Sequence, residues 1–132
     1  MSPQWIAALL LLANLQIGHA AYYNPQIFEQ VVAVRLAGWT AGSLTEDDLR
    51  GVIGYVAVPD CNEIGRRVWL FHESEGWRGP YLVADCANHI ENHHVRMRKR
   101  GIICEVDFQT AKRWGILGMG PQHIDVAMVS WE

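Results

Sequence analysis

Short apolar runs recur along most of the chain, and turn residues separate them. Five of these runs have the composition of β-strands: VIGYVAV (52–58), RRVWLFH (66–72), YLVAD (81–85), IICEV (102–106) and HIDVAMV (123–129). The segments between them, such as PDCNEIG, SEGWRGP and GMGPQ, carry the Gly, Pro, Asn and Asp residues that turns require. Short strands at such intervals predict a small, mainly β fold, in which closure into a barrel removes exposed strand edges.

Helix-type patterns interrupt the strands at two places, and a third segment is ambiguous. DFQTAKRWG (107–115) begins with Asp107 at an N-cap position, has basic residues in its last turn and ends at Gly115, so it predicts a helix. SLTEDDLRG (43–51) predicts a helix of one or two turns, because Thr45 is a suitable cap and acidic residues follow it. The apolar run at 31–37 fits either a strand or a short helix.

Length and charge exclude several classes of protein. The 132 residues suit one domain with a single core, and 50% of them are hydrophobic, as in an ordinary folded chain. The net charge of −3 is that of a protein with no overall attraction for nucleic acid. The sequence has no helix-turn-helix, zinc-finger or aromatic RNA-binding pattern. We therefore expect no nucleic-acid partner. We also expect the protein to be a monomer.

The first twenty residues have the pattern of a secretory signal peptide. Residues 5–17 are apolar apart from two amides, and small residues follow up to Ala20, after which cleavage is expected. The stretch is shorter than the roughly 20 apolar residues of a membrane span, so membrane contact is expected only during export. The chain then divides into a signal peptide, 1–20, and one barrel domain, 21–132, of a secreted, periplasmic or cell-envelope protein. A buried N-terminal helix that is never cleaved is the alternative.

Three cysteines follow this leader: Cys61, Cys86 and Cys104. An exported chain can form one disulfide from them and leave one thiol over. The favoured pair is Cys86 with Cys104, because these two residues follow and precede two strand-end aspartates. Three buried thiols in a reducing compartment are the alternative.

The order of these elements resembles the double-psi β-barrel group, which includes the rare lipoprotein A family, expansins and the three-aspartate domain of some lytic transglycosylases. The similarity spans residues 52–129, and the AYYNP opening is also similar to that of exported barrels. One departure is CANH, which stands where the family has a glycine pair. The resemblance implies a small six-stranded double-psi β-barrel with one or two short helices. Three short motifs carry it: Gly65 with Arg67-Val68, Ala84-Asp85, and Val106-Asp107-Phe108 with Ala111 and Gly115.

The same resemblance implies action on a cell-wall polysaccharide, with peptidoglycan first. Asp60, Asp85 and Asp107 stand where the three-aspartate domain has its namesake residues. We therefore expect lytic-transglycosylase-type cleavage, with Asp107 as general acid/base and Asp85 assisting, because a proton must reach the glycosidic oxygen. A helix cap at Asp107 and turns at the other two aspartates explain the same residues without catalysis. An expansin-like binding module and a structural, virion-associated barrel are the alternative functions.

Further substrate contacts are expected from Asp60, Trp77 and a basic loop that holds Arg96, Arg98, Lys99 and Arg100. This positive charge is local in an acidic protein, so it would attract an anionic polymer. Trp77, in a polar turn, is the best candidate for stacking on a sugar ring, ahead of Trp39 and Trp69. The segment HIENHH (89–94) lacks the His-Glu-x-x-His order of zinc proteases, so neither a metal nor another cofactor is expected.

Overall fold

Six strands close into a barrel in the computed structural model, which describes residues 14–38, 42–87 and 92–130. Around the barrel they follow the order β1-β5-β2-β4-β3-β6, and β6 pairs back onto β1. This architecture confirms the predicted class, a mainly β six-stranded barrel. The strands are β1 Leu15–Tyr22, β2 Gly54–Val58, β3 Arg67–His72, β4 Gly76–Cys86, β5 Ile102–Val106 and β6 Asp125–Ser130.

The barrel mixes parallel and antiparallel neighbours. The pairs β1–β5 and β2–β4 are parallel, whereas β2–β5, β3–β4, β3–β6 and β1–β6 are antiparallel. Three α-helices lie in the described connections: α1 Ile27–Leu36, α2 His93–Lys99 and α3 Phe108–Trp114. Two 3-10 helices, Cys61–Glu63 and Pro121–His123, also lie in the described part of the chain. No helix in the described ranges is long and apolar enough to cross a membrane.

All five predicted strands are present, and the sixth, β1, lies mostly within the segment assigned to the leader. Leu15–Ala20 belong to β1, which pairs with β5 on one side and β6 on the other. Ala20 is completely buried in the core. Cleavage after Ala20 stays a prediction, and it would remove most of a strand that closes the barrel.

The helix predictions have mixed outcomes. The predicted helix at 107–115 is confirmed as α3, and the ambiguous run at 31–37 belongs mostly to α1. The expected helix at 43–51 is wrong, because this segment forms consecutive turns with i to i+3 hydrogen bonds. Asp48 accepts hydrogen bonds from the backbone N–H and hydroxyl of Thr45, which closes the first turn tightly. The prediction that Arg96, Arg98, Lys99 and Arg100 lie in a loop is also wrong, since most of this segment forms α2.

Two apolar layers hold the fold together. Alternation along the strands sends one set of side chains into the barrel and the other set outward. The interior set includes Val56, Leu70, Tyr81 and Val106, all buried. The outer layer lies under α1 and covers one side of the barrel; it comprises Phe28, Val32, Leu44, Ala57, Leu82 and Ala84.

Candidate functional site

Asp85 lies near the end of β4 and is held by two residues from other elements. Its Oδ1 accepts a hydrogen bond from Arg35 Nη2 of α1 at 2.7 Å, and its Oδ2 accepts one from the Tyr23 hydroxyl at 2.8 Å. The Arg35 and Asp85 side chains are only 10% and 18% exposed. Burial, followed by the charge of Asp85, raises the pKa of Tyr23 far above its usual value. Tyr23 therefore stays a hydrogen-bond donor to Asp85 at neutral pH.

Asp107 ties the start of α3 to β2. Its Oδ1 accepts from the backbone N–H of Thr110 at 2.8 Å, which is the N-cap bond that the sequence predicts. Its Oδ2 accepts from the backbone N–H of Tyr55 at 2.8 Å. Gly54 makes this approach possible, because a Cβ on Gly54 would collide with Asp107 Oδ2 and with the Tyr81 ring. Both oxygens of Asp107 thus have structural partners.

We expect Asp107→Ala to lower the free energy of unfolding by about 2–3 kcal/mol. The change removes an N-cap worth about 1 kcal/mol and leaves the partly buried N–H of Tyr55 without its acceptor. Urea denaturation followed by tryptophan fluorescence measures the difference. Asp60→Ala is the matched control, because Asp60 caps an exposed 3-10 helix through one bond to the Asn62 N–H, and its loss should cost less than about 1 kcal/mol. Equal losses for the two variants would contradict the assignment.

Both aspartates belong to the same side of the barrel. Asp107 bonds to Tyr55, and the register partner of Asp85 is Ala57, two residues farther along β2. Two residues of a strand span about 7 Å. An aromatic stack connects the two positions, since the Tyr23 and Phe28 rings lie 4.2 Å apart and the Phe28 and Tyr55 rings 6.0 Å apart. We call this region the α1 site: Tyr23, Phe28, Tyr55, Asp85 and Asp107.

Two surface cavities open beside the α1 site. One, of about 400 Å³, is lined by Asp107 and Tyr55 together with Glu29 of α1. The other, of about 260 Å³, is lined by Asp85 and Arg35 together with apolar residues of α1. Each aspartate therefore borders a space that a ligand group can occupy.

Glu105 is a third carboxylate on this side, and its local sequence does not predict it. The register places Glu105 of β5 beside Ala57 of β2, and Ala57 beside Asp85 of β4. The Glu105 side chain is 15% exposed, and its Oε1 lies 3.3 Å from His93 Nε2 of α2. Burial raises the pKa of Glu105 and the charge of Asp85 adds to the effect, while His93 opposes it. An acid at an outward strand position is typical of a solvated face, so only the register identifies this residue.

The disulfide joins Cys61 to Cys86, which corrects the expected Cys86–Cys104 pair. Their Cα atoms lie 4.9 Å apart, and the bond links the 3-10 helix after β2 to the residue that follows Asp85. Cys104 is a free cysteine on β5, completely buried in the core, where burial raises the pKa of its thiol to about 12. Closeness to the aspartates in sequence predicts the Cys86–Cys104 pair. This pair does not form, because Cys104 packs at the barrel centre.

The other predicted contact residues lie apart from the α1 site. Asp60 and Arg98 line a cavity of about 350 Å³ that shares no lining residue with the two cavities beside α1. Arg96, Lys99 and Arg100 are exposed at α2 and its C-cap.

The two predicted tryptophans that the structure describes, Trp69 and Trp77, do not form one platform near the aspartates. Trp77 is 49% exposed, but it belongs to β4 rather than to a turn. The centroids of the Trp77 and Phe71 rings lie 5.6 Å apart. Trp77 precedes Asp85 by eight positions, roughly 25 Å along an extended strand. Trp69 is half-buried and packs over Gly79, whereas Trp39 lies outside the described residues.

The histidine segment is only partly described, since His89 and Glu91 fall outside the described residues. Within the described ranges, no group of three His, Cys, Asp or Glu side chains is arranged to hold a metal ion.

No protein-family model matches this chain, and a search of curated protein sequences finds no similar protein. The fold and the site define its class. It is a small, closed, mainly β barrel that holds Asp85, Glu105 and Asp107 on one side.

Proposed function

We propose that this protein is an exported double-psi β-barrel that acts on a cell-wall polysaccharide, peptidoglycan first, and cleaves the glycan strand by lytic-transglycosylase chemistry. The observation that carries the proposal is the α1 site, in which Asp85 and Asp107 lie at either end of an aromatic stack. Aromatic rings pack against the C–H face of a pyranose, and carboxylates bind its hydroxyls or transfer protons. A sugar-binding cleft needs this combination.

The chemistry requires one acid/base residue. A carboxyl group gives a proton to the glycosidic oxygen, a hydroxyl of the same sugar attacks the anomeric carbon, and the carboxylate takes up the hydroxyl proton. Asp107 is the residue that the sequence predicts for this role. Asp85, fixed by Arg35 and Tyr23, is suited to holding sugar hydroxyls.

Two further features support a wall polymer outside the cytoplasm. The four basic residues Arg96, Arg98, Lys99 and Arg100 are exposed together, and such a patch attracts an anionic chain. The Cys61–Cys86 disulfide is typical of proteins in oxidising compartments.

The proposal is tested by digesting purified peptidoglycan with the wild type, Asp107→Asn and Asp85→Asn, and reading the products by mass spectrometry. We expect anhydro-sugar ends from the wild type and at least about 100-fold less product from Asp107→Asn, which lacks the predicted acid/base residue. Near-ultraviolet circular dichroism checks that each variant is folded. Products with reducing-end sugars would indicate hydrolysis instead of transglycosylation.

A non-cutting, expansin-like binding module is the second candidate. The observation that favours it is that both oxygens of Asp85 and both oxygens of Asp107 already accept hydrogen bonds within the protein. If the folded wild type sediments with peptidoglycan and releases no product, the binding function replaces the cleaving one.

A further inference from the structure

One surface cavity beside the α1 site combines carboxylates with carboxamides and an aromatic ring. It is the cavity of about 400 Å³ next to Asp107, and we call it the Asp107 cavity. Its lining includes Glu29, Asp107, Asn24, Gln26, Gln109 and Tyr55. Among the described residues that line it there is no Lys, Arg or His, and none belongs to the basic helix α2. The charged side chains of this cavity are therefore two carboxylates.

Glu29 and Asp107 reach the cavity from different elements and meet near Tyr55. Asp107 Oδ2 accepts a hydrogen bond from the backbone N–H of Tyr55 at 2.8 Å. Glu29 follows Phe28, whose ring centroid lies 6.0 Å from that of Tyr55. Burial raises the pKa of Tyr55, and the charges of Asp107 and Glu29 add to the effect. Both carboxylates therefore act on the same hydroxyl group.

Both carboxylates have room for a further donor. Glu29 is exposed, and no side chain among the described residues pairs with it. Each oxygen of Asp107 accepts one hydrogen bond within the protein, and a carboxylate oxygen has two lone pairs. A cationic group with several N–H donors is suited to bind between the two.

The starts of α1 and α3 reduce the negative charge of the cavity but do not cancel it. Glu29 lies in the first turn of α1, and Asp107 caps α3. The start of a helix is equivalent to about half a positive charge, so two starts offset about one of the two negative charges. Acids at these positions stabilise their helices, but helix stability does not require them to share a cavity with three carboxamides. The remaining negative charge favours a cation.

Resting on the proposed function, we propose that the Asp107 cavity binds a sugar unit of the glycan strand that carries a free, protonated amine in place of an acetamide. The ammonium group donates hydrogen bonds to Glu29 and Asp107. The carboxamides bind the sugar hydroxyls, since both kinds of group donate and accept, and the Tyr55 ring packs against the C–H face of the sugar. An acetylated nitrogen has no charge, so the cavity discriminates between the amine and the acetamide.

The experiment measures binding by isothermal titration calorimetry at about pH 6, where a free amine is protonated. The probes are a β-1,4-linked glucosamine tetrasaccharide and its fully N-acetylated form. We expect the wild type to bind the amine form at least about 10-fold more tightly at low salt, and about 0.5 M NaCl to reduce this preference. Glu29→Gln should bind the amine form about 3- to 5-fold more weakly than the wild type and the acetylated form equally well. Glu46→Gln, which removes an exposed acid from the turns before β2, is the matched control and should keep the wild-type preference.

A second measurement locates the bound sugar without a variant. Titration of the wild type with the glucosamine tetrasaccharide should shift the backbone amide NMR signals of Glu29, Tyr55 and Gln109. Shifts confined to Gly101 and Ile103, which line the cavity of about 350 Å³, would overturn the location. A lysine tripeptide, which has free amines but no sugar ring, should bind at least about 10-fold more weakly, and equal binding would overturn the assignment to a sugar.

The outcomes separate this inference from the function on which it rests. Equal or tighter binding of the acetylated form by the wild type overturns the inference and leaves the proposed function standing. An unchanged preference in folded Glu29→Gln also overturns it, and if this variant fails to fold, the NMR shifts of the wild type decide. Cleavage of peptidoglycan without binding of either tetrasaccharide overturns the inference alone. Binding of the amine form by a wild type that leaves peptidoglycan intact supports the inference and overturns the cleaving function.

Discussion

A chain that begins at Ala21 is expected not to fold, whereas a chain that begins at Asn14 should fold cooperatively. The shorter chain lacks Leu15–Ala20, and with them the pairing of β1 to β6 from Leu15 to His19. It also loses Ala20 from the core and leaves β5 and β6 as open edges. The free energy of unfolding of a small domain is only about 5–15 kcal/mol. Loss of the hydrogen bonds and core contacts of a whole barrel strand is therefore expected to abolish folding. Circular dichroism and urea denaturation of the two chains measure the outcome.

The same comparison bears on the predicted export. Mass spectrometry of the exported protein gives its first residue, and a folded barrel requires that residue to lie at or before Leu15. If the chain that begins at Ala21 unfolds at the same urea concentration as the one that begins at Asn14, β1 is dispensable and cleavage after Ala20 is compatible with the fold.

Replacing Cys61 and Cys86 by serine is expected to lower the free energy of unfolding by about 3 kcal/mol. The disulfide spans 25 positions of the chain, and closing a loop of this size removes a corresponding amount of conformational entropy from the unfolded state. It also holds the turn after β2 against the end of β4, next to Asp85. Guanidinium denaturation of the oxidised wild type and of the double variant measures the difference.

A reductant provides the matched control for this prediction. It should shift the unfolding midpoint of the wild type to that of the double variant and leave the double variant unchanged. In the native protein Cys104 should resist alkylation, because it is completely buried and its pKa is raised to about 12. A wild-type midpoint that is insensitive to reductant would contradict the Cys61–Cys86 assignment.

Local chemistry explains which elements the sequence predicts well. The bounds of α3 follow from Asp107 and Gly115, because a cap and a left-handed C-terminal glycine act within a few residues of the chain. Strands β2 to β6 follow from their apolar runs, because this pattern is also local to each segment. By contrast, β1 has the sequence LQIGHAAY, directly after an apolar stretch, and only its pairing with β5 and β6 identifies it as a strand.

The candidate site divides in the same way. Asp85 and Asp107 are visible in the sequence as aspartates at strand ends, and the N-cap role of Asp107 is predicted and observed. Neither Arg35 nor Glu105 has a local signal, since their positions at the site come from α1 and β5 meeting β4 and β2. The disulfide likewise depends on which strand ends meet in space. Residues that act through long-range register are those that a single sequence leaves unidentified.

The pairing of β1 with β6 also determines when the barrel can close. These are the first and the last of the six strands along the chain, and β1 also needs β5, so no barrel exists until the final strand has been made. A nascent chain that lacks β6 has two unpaired edges, on β1 and on β3. Closure of the barrel must therefore follow synthesis of the last strand, and the export proposed above would require the chain to cross the membrane unfolded and to close the barrel afterwards.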